Sequence, residues 1–247
     1  MRVLVIGDSC LDVYKYGECD RLCPAAPVPV FVPLNEKRNY GMAGNVYNNL
    51  ESLGVACDLV TNQEQVLKTR FVDISSNHMI MRMDLGESEV KRVSNLHRRS
   101  LSTFGTIIIS DYDKGFLTRD DIKFICENNS NVFIDTKKIL GNWCRDARFI
   151  KINHHEYKRS IHFIEENDWV QEKLIITRGS SGAEHRNETF PVEKVEIKDL
   201  TGAGDTFLAG LVCQFVKTED ISGSIIFANE CATKVVQQKG VNICGAK

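Results

Sequence analysis

The stretch Asp199-Leu200-Thr201-Gly202-Ala203-Gly204-Asp205-Thr206-Phe207 sets two glycines and an acid directly before an apolar run, Phe207 to Val216. Gly202 and Gly204 tolerate backbone angles that other residues resist, and neither carries a side chain that would screen the amides around it. Successive N–H groups there can converge on an anion at a helix start, whose partial positive charge favours it further. Phosphate oxygens suit such a place. A carboxylate on Asp205 can then take the proton of a hydroxyl attacking phosphorus, while the amides of Gly202, Ala203 and Gly204 neutralise the transferred group. An acid in a first helical turn also suits capping. Spacing by itself leaves both readings open.

Other polar residues sit where strands should end. Asp8 and Asp12 follow one apolar run, and Asp commonly initiates turns. Asn153 and Glu156 follow another and fit a turn and a helix cap as well as a ligand site. Lys114 and Lys137 each come just after an expected strand end, where ligands of open α/β sheets gather, although lysines there are commonly solvated. Arg70 and Arg82 carry the guanidinium fork that matches phosphate. The pair His154-His155 lacks a metalloprotease spacing. Cys19 and Cys23 could be set beside those histidines, but no second pair has zinc-site spacing. Nine cysteines, an odd number spread from Cys10 to Cys244, read as free thiols of a reducing compartment. Neither G-x-x-x-x-G-K-S/T nor G-x-G-x-x-G occurs, so the P-loop and the dinucleotide fingerprint are both unsupported.

The elements that must position these residues are legible as patterns. VLVI (3–6), TIIIS (106–110), VFID (132–135), FIKIN (149–153) and LIIT (174–177) are apolar without strict alternation, as in a parallel sheet covered on both faces. Helical spacing joins Val46, Leu50 and Leu53, closed by Gly54, and Ile225, Ala228, Ala232, Val235 and Val236. The order is that of an open α/β fold with one substantial core. Residues 13–40 break the rhythm: four of the five prolines fall there, and Val28, Val30 and Val32 alternate across Pro29. That reads as a small β-flap inserted in the main domain, 1–12 and 41–247. With 247 residues, 43% hydrophobic, 26% charged and a net charge of −2, the chain shows no basic footprint for nucleic acid; Arg98-Arg99 is too small a cluster. No apolar stretch approaches the roughly 18 residues of a membrane span. MRVLVIGD lacks the features of a signal peptide, so a cytoplasmic location is expected.

Residues 199–207 resemble the D-T-x-G-A-G-D-x-F signature of the ribokinase-like, or PfkB, carbohydrate kinases. Gly41-Met42-Ala43-Gly44-Asn45 followed by Leu53-Gly54 resembles that family's G-G-x-x-x-N motif and its L-G, with Met42 in place of the second glycine. Asn153-His154-His155-Glu156 matches its N-x-x-E, and Thr177-Arg178-Gly179-Ser180-Ser181-Gly182 its T-x-G-x-x-G. The resemblance implies a three-layer α/β/α fold, ATP and Mg2+ as cofactors, and a monovalent cation as a further one. It makes Asp205 the base and the Gly202–Gly204 amides the anion hole. Asn153 and Glu156 are implied near magnesium, directly or through water, and Thr177, Gly179, Gly182 and Asn229 on the nucleotide side, where Lys137 joins them by its place at a strand end.

Within the family, GDSCLDVYKYGECDRLCPAAPVP resembles the opening of the bacterial heptose 7-phosphate kinases, as do KTRF (68–71), RMD (82–84) and SDYDKG (110–115). That branch implies Asp12, Gly41 and Asn45 at the sugar and residues 13–40 as a lid that also builds a homodimer; Arg70 and Arg82 by their guanidinium geometry, and Lys114 by its place at a strand end, join them as candidate ligands of a phosphorylated substrate. Another sugar or a nucleoside as acceptor, or a non-catalytic sugar-phosphate-binding relative, stand as alternatives. Two departures are visible. After DLVTN (58–62) the chain reaches LKTRF without the family's intervening helix–strand unit, and it ends at Lys247 with no nucleotidyltransferase following, so a kinase standing alone is expected.

Overall fold

The computed structural model describes residues 2–98 and 100–245; Arg99, half of the basic pair noted above, lies outside the described residues. The chain begins with β1 (Val3–Gly7), then passes through β2 (Ser9–Glu18) and β3 (Val32–Met42) to α1 (Ala43–Ser52) and β4 (Cys57–Thr61). β5 (Leu67–Asp73) and β6 (Met79–Leu85) follow, and from β7 (Thr106–Asp111) onward strands and helices alternate: α2 (Arg119–Asn128), β8 (Val132–Thr136), β9 (Phe149–Asn153), α3 (His154–Glu165), α4 (Asp168–Lys173) and β10 (Leu174–Thr177). Short strands β11 (Ala183–His185) and β12 (Glu188–Phe190) precede two long helices, α5 (Ala203–Thr218) and α6 (Ile221–Val236).

The five apolar runs become β1, β7, β8, β9 and β10, all parallel, in an eight-stranded sheet of order β12-β11-β10-β9-β8-β7-β1-β4. Their lack of alternation has a direct cause, since both faces are covered. Leu4, Ile6, Ile107, Ile109, Ile134 and Ile152 pack on one face with Ile122 and Ile125 of α2 and Ile164 of α3. Val3, Val5, Ile108, Phe133 and Phe149 pack on the other with Leu50 of α1, Leu208 and Leu211 of α5, and Ile225 of α6. Gly54, in the left-handed region at φ 77°, stops α1 as expected.

Residues 13–40 supply only part of the second sheet, whose order is β3-β2-β5-β6. β5 and β6, from residues 67–85, make up its other half, because β2 pairs antiparallel with β3 on one edge and parallel with β5 on the other. A lone two-stranded hairpin would be marginal in water, and the added pair widens it. The register sorts the side chains into two faces. Asn39-Asp12-Lys68-Asp84 and Lys37-Tyr14-Arg70-Arg82 form polar rungs; Tyr40-Leu11-Leu67-Leu85 and Arg38-Val13-Thr69-Met83 lie between them and point the other way. The polar face meets the main domain, where the Tyr14 hydroxyl donates to Asp199 at 3.3 Å.

Between β4 and β5 the chain crosses from one sheet to the other in five residues, 62–66. Asn62 holds this link: its Oδ1 accepts from the Ser9 amide at 2.7 Å and its Nδ2 donates to Glu64 O at 2.8 Å. β4 is consequently an edge strand of the main sheet.

Candidate active site

Gly202 is the residue before α5 and adopts φ 82°, and a Cβ there would come within 2.7 Å of Asn45 Nδ2. Glycine is therefore required by both backbone and space. The Ala203 amide turns back to the Leu200 carbonyl at 3.3 Å. Among the described residues no backbone acceptor meets the amides of Gly202, Gly204 and Asp205. The open donors are thus Gly202, Gly204 and Asp205, with the Ala203 amide of the expected Gly202, Ala203, Gly204 set turned back into the preceding turn.

Asp205 is 3% exposed, and its oxygens reach across to other elements. Oδ1 accepts from Tyr112 Oη at 2.7 Å and Oδ2 from Asn45 Nδ2 at 3.1 Å. Capping does not describe this geometry. Asn45 is itself oriented by Asn49, whose Nδ2 donates to Asn45 Oδ1 at 3.0 Å. Burial pushes the Asp205 carboxyl up to about 6, opposed by the hydrogen bonds from Tyr112 and Asn45; Asp135 adds to the rise and Lys151 works against it. A carboxylate so placed is ionised at neutral pH and near the strength of a useful base.

Tyr112, Lys68, Asp135 and Lys151 were not singled out by sequence reasoning. The Tyr112 ring has two ammonium groups near it, Lys137 at 5.1 Å and Lys68 at 5.8 Å from its centroid. Burial, with Asp205 beside it, pushes its phenol well above the ordinary value, so it remains a donor. The detectable signal for Lys151 was a charge in the middle of FIKIN, a run read as buried on both faces.

On the second sheet Asp12 is buried and paired with Arg70, and a Cβ on Gly41 would overlap the Asp12 carboxylate. Asp12, Gly41 and Arg70 therefore meet on the second sheet, while Asn45 faces Asp205 from α1. Arg82 lies opposite Arg70 in the register, but its guanidinium is turned to Asp84 through two 2.7 Å bonds and is 41% exposed. Lys114 pairs with Glu87, which also meets Lys68 at 3.4 Å. Asp8 is structural: it accepts from the amides of Tyr112 (2.7 Å) and Phe116 (3.4 Å) and so ties down the loop after β7.

A cavity of about 410 Å³ opens on the far side of the α5 start. Thr177, Gly179, Gly182 and Asn229 line it, together with apolar walls from Ile197, Leu200, Phe207 and Val236, and it reaches Ala203 and Gly204. Asn229 Nδ2 is spent on the Phe190 carbonyl at 2.9 Å. Lys137 and Asn153 lie outside the cavity. Asn153 and Glu156 form a reciprocal capping box on α3, the Glu156 amide donating to Asn153 Oδ1 at 3.0 Å and the Asn153 amide to Glu156 Oε2 at 2.7 Å. Lys137 completes the Glu156 carboxylate. These oxygens are taken by protein donors, so direct ligation of a metal by Asn153 and Glu156 does not fit. Among the described residues no group of three or more His, Cys, Asp or Glu is arranged to hold a metal ion.

A three-layer domain with a buried acid and open amides at one helix start, beside a cleft walled by a small second sheet, is a ribokinase-like fold. Escherichia coli phosphofructokinase-2 superposes with a TM-score of 0.73 over 98% of this chain and 95% of that one, at 11% identity. The Methanocaldococcus jannaschii nucleoside kinase does so at 0.70 over 97% and 93%, at 20% identity. The pattern of the pfkB family carbohydrate kinases matches residues 42–247, and the chain belongs to that family. The bifunctional protein HldE of Nitratiruptor sp. is 30% identical over 289 residues, covering 97% of this chain and 62% of the relative. Its counterpart in Aliarcobacter butzleri is 28% identical over 294 residues, covering 96% and 61%. The chain thus spans less than two thirds of the length of these relatives. Aligned lengths beyond its own 247 residues mean that the relatives carry segments absent here.

Proposed function

We infer that this carbohydrate kinase transfers the terminal phosphoryl group of ATP to the anomeric hydroxyl of a D-glycero-D-manno-heptose 7-phosphate. The observation that carries the reaction is Asp205, a buried carboxylate at a helix start with open amides. The hydroxyl oxygen bonds to phosphorus, its proton passes to Asp205, and the bond to ADP breaks with its electron pair on the β-phosphate oxygen. The amides of Gly204 and Asp205 face the charge on the transferred group. The apolar cavity bounded by Leu200 and Phe207 suits a flat base, with its phosphates toward Gly204. ATP brings magnesium as its counter-ion, and Asn153 and Glu156 would meet it only through bridging water. We assign no protein ligand to a monovalent cation.

The heptose phosphate is supported by the HldE relatives and by the cationic face of the second sheet, where Lys37, Lys68 and Arg70 look into the cleft beside Asp12. A carboxylate for hydroxyls next to cations for a phosphate is the donor set a sugar phosphate needs. The opposite face of that sheet exposes Tyr40, Met81, Met83 and Leu85 and is our candidate for a homodimer contact with a second copy. Nine free thiols suit a reducing cytoplasm. Among the described residues no helix is long and apolar enough to cross a membrane. The test is ADP release over a panel of heptose 7-phosphate, fructose, ribose and nucleosides. Heptose-dependent turnover that Asp205→Asn lowers about a thousandfold is expected; turnover with another acceptor reassigns the substrate, and none with any acceptor ends the kinase assignment.

A further inference from the structure

Beneath the start of α5 the main sheet carries a row of polar residues on adjacent strands: Ser110 of β7 stands opposite Asp135 of β8, and Asp135 opposite Lys151 of β9. All three share the face of Ile108, Phe133 and Phe149, the face that α5 covers. Lys151 is 3% exposed and Asp135 4%. The Lys151 ammonium donates to Asp135 Oδ2 at 2.6 Å, its one hydrogen bond among the described residues, so two of its N–H groups are uncommitted. Its Nζ lies 3.1 Å from where a Cβ on Gly204 would stand, beside the open amides. Ser110 Oγ and Asp135 Oδ1 in this row, and Thr206 Oγ1 in the first turn of α5, are buried without hydrogen-bond partners among the described residues.

As a purely structural ion pair this arrangement is poor. Burying two charges is rarely repaid in stability, and a cation at the positive end of a helix is repelled by it. Both costs fall when an anion lies between ammonium and amides. We propose that Lys151 is a catalytic cation of the phosphoryl-transfer centre, its ammonium reaching the terminal phosphoryl group of the nucleotide from the sheet side while the Gly204 and Asp205 amides reach it from the helix. Asp135 aims the ammonium and Gly204 leaves it room. The proposal rests on the kinase reading above. Charge on the transferred group is what the reaction must stabilise, and a buried cation does so without a screening water shell.

The test compares binding of β,γ-imido-ATP and of ADP, each with magnesium, by calorimetry. The proteins are the wild type, Lys151→Met, and the double variant Asp135→Asn/Lys151→Met, which leaves no unpaired buried charge if the single variant fails to fold. Loss of the contact lowers affinity for the triphosphate analogue at least about tenfold and leaves ADP within about twofold, and in turnover kcat falls about a hundredfold or more. Equal affinities for both nucleotides across the folded variants overturn the role of Lys151 alone. A wild type that binds neither nucleotide overturns the kinase reading, and this role with it.

Discussion

Asp205 has to be a carboxylate for the proposed transfer and is buried where a carboxylate is costly, so its neighbours set the working pH. Tyr112, Asn45 and Lys151 favour the charged form, whereas burial and Asp135 favour the neutral one. Below about 6 the group is protonated and cannot take the hydroxyl's proton; above it the base is available. The kcat profile should therefore fall with a limb near pH 6 on the acid side and be level above it. Tyr112→Phe removes a donor to the charged form, so the limb should move up by about one unit, the worth of one hydrogen bond to an ionised group. Measuring kcat against pH for both proteins decides this, since a purely structural tyrosine would lower kcat without moving the limb.

At the scale of elements, the site depends on how α5 starts and on how β3 passes Asp12. Gly202→Ala forces φ 82° on alanine and pushes a methyl into Asn45. A loss of about 1–2 kcal/mol in urea unfolding is expected, with a larger proportional loss in kcat because Asn45 holds the base. Gly41→Ala displaces the Asp12 carboxylate instead, and should raise KM for the sugar more than it lowers kcat. Asn153→Ala removes the cap of α3, costing about 1 kcal/mol. It also loosens Glu156 and with it Lys137, which should show as weaker nucleotide binding.

For the molecule as a whole, the period of two gives the second sheet a polar face toward the main domain and an apolar face away from it. One face supplies Asp12, Lys68 and Arg70 to the cleft; the other leaves Met81, Met83 and Leu85 exposed on a four-stranded sheet. A protein concentration series in sedimentation velocity should show dimers for the wild type and monomers for Met81→Glu/Met83→Lys. Because these residues are exposed in the monomer, the thermal midpoint at low concentration should barely change. An unchanged sedimentation coefficient for the variant would remove this face as the contact.

Much of this architecture was legible in the order of residues. Apolar runs without alternation specify strands covered on both faces, and β1 and β7–β10 fall where those runs are. The second sheet was only half visible, because the all-exposed β6 and the mixed β5 carry no pattern of a buried strand. Two acids shared an ambiguity between cap and ligand, and the tertiary structure gives them different partners. Glu156 closes a capping box with Asn153 three residues away, so local spacing already contained that partner, though not Lys137. Asp205 does not, because its partners Tyr112 and Asn45 are 93 and 160 residues away in the chain. Lys151 and Asp135 likewise meet only through the register of β8 on β9. The sequence by itself determined the glycines, the acid and the helix they precede, since backbone freedom and capping act within one turn. What that acid faces was decided by the packing of α1 and of the loop after β7 against α5, which no spacing along the chain encodes.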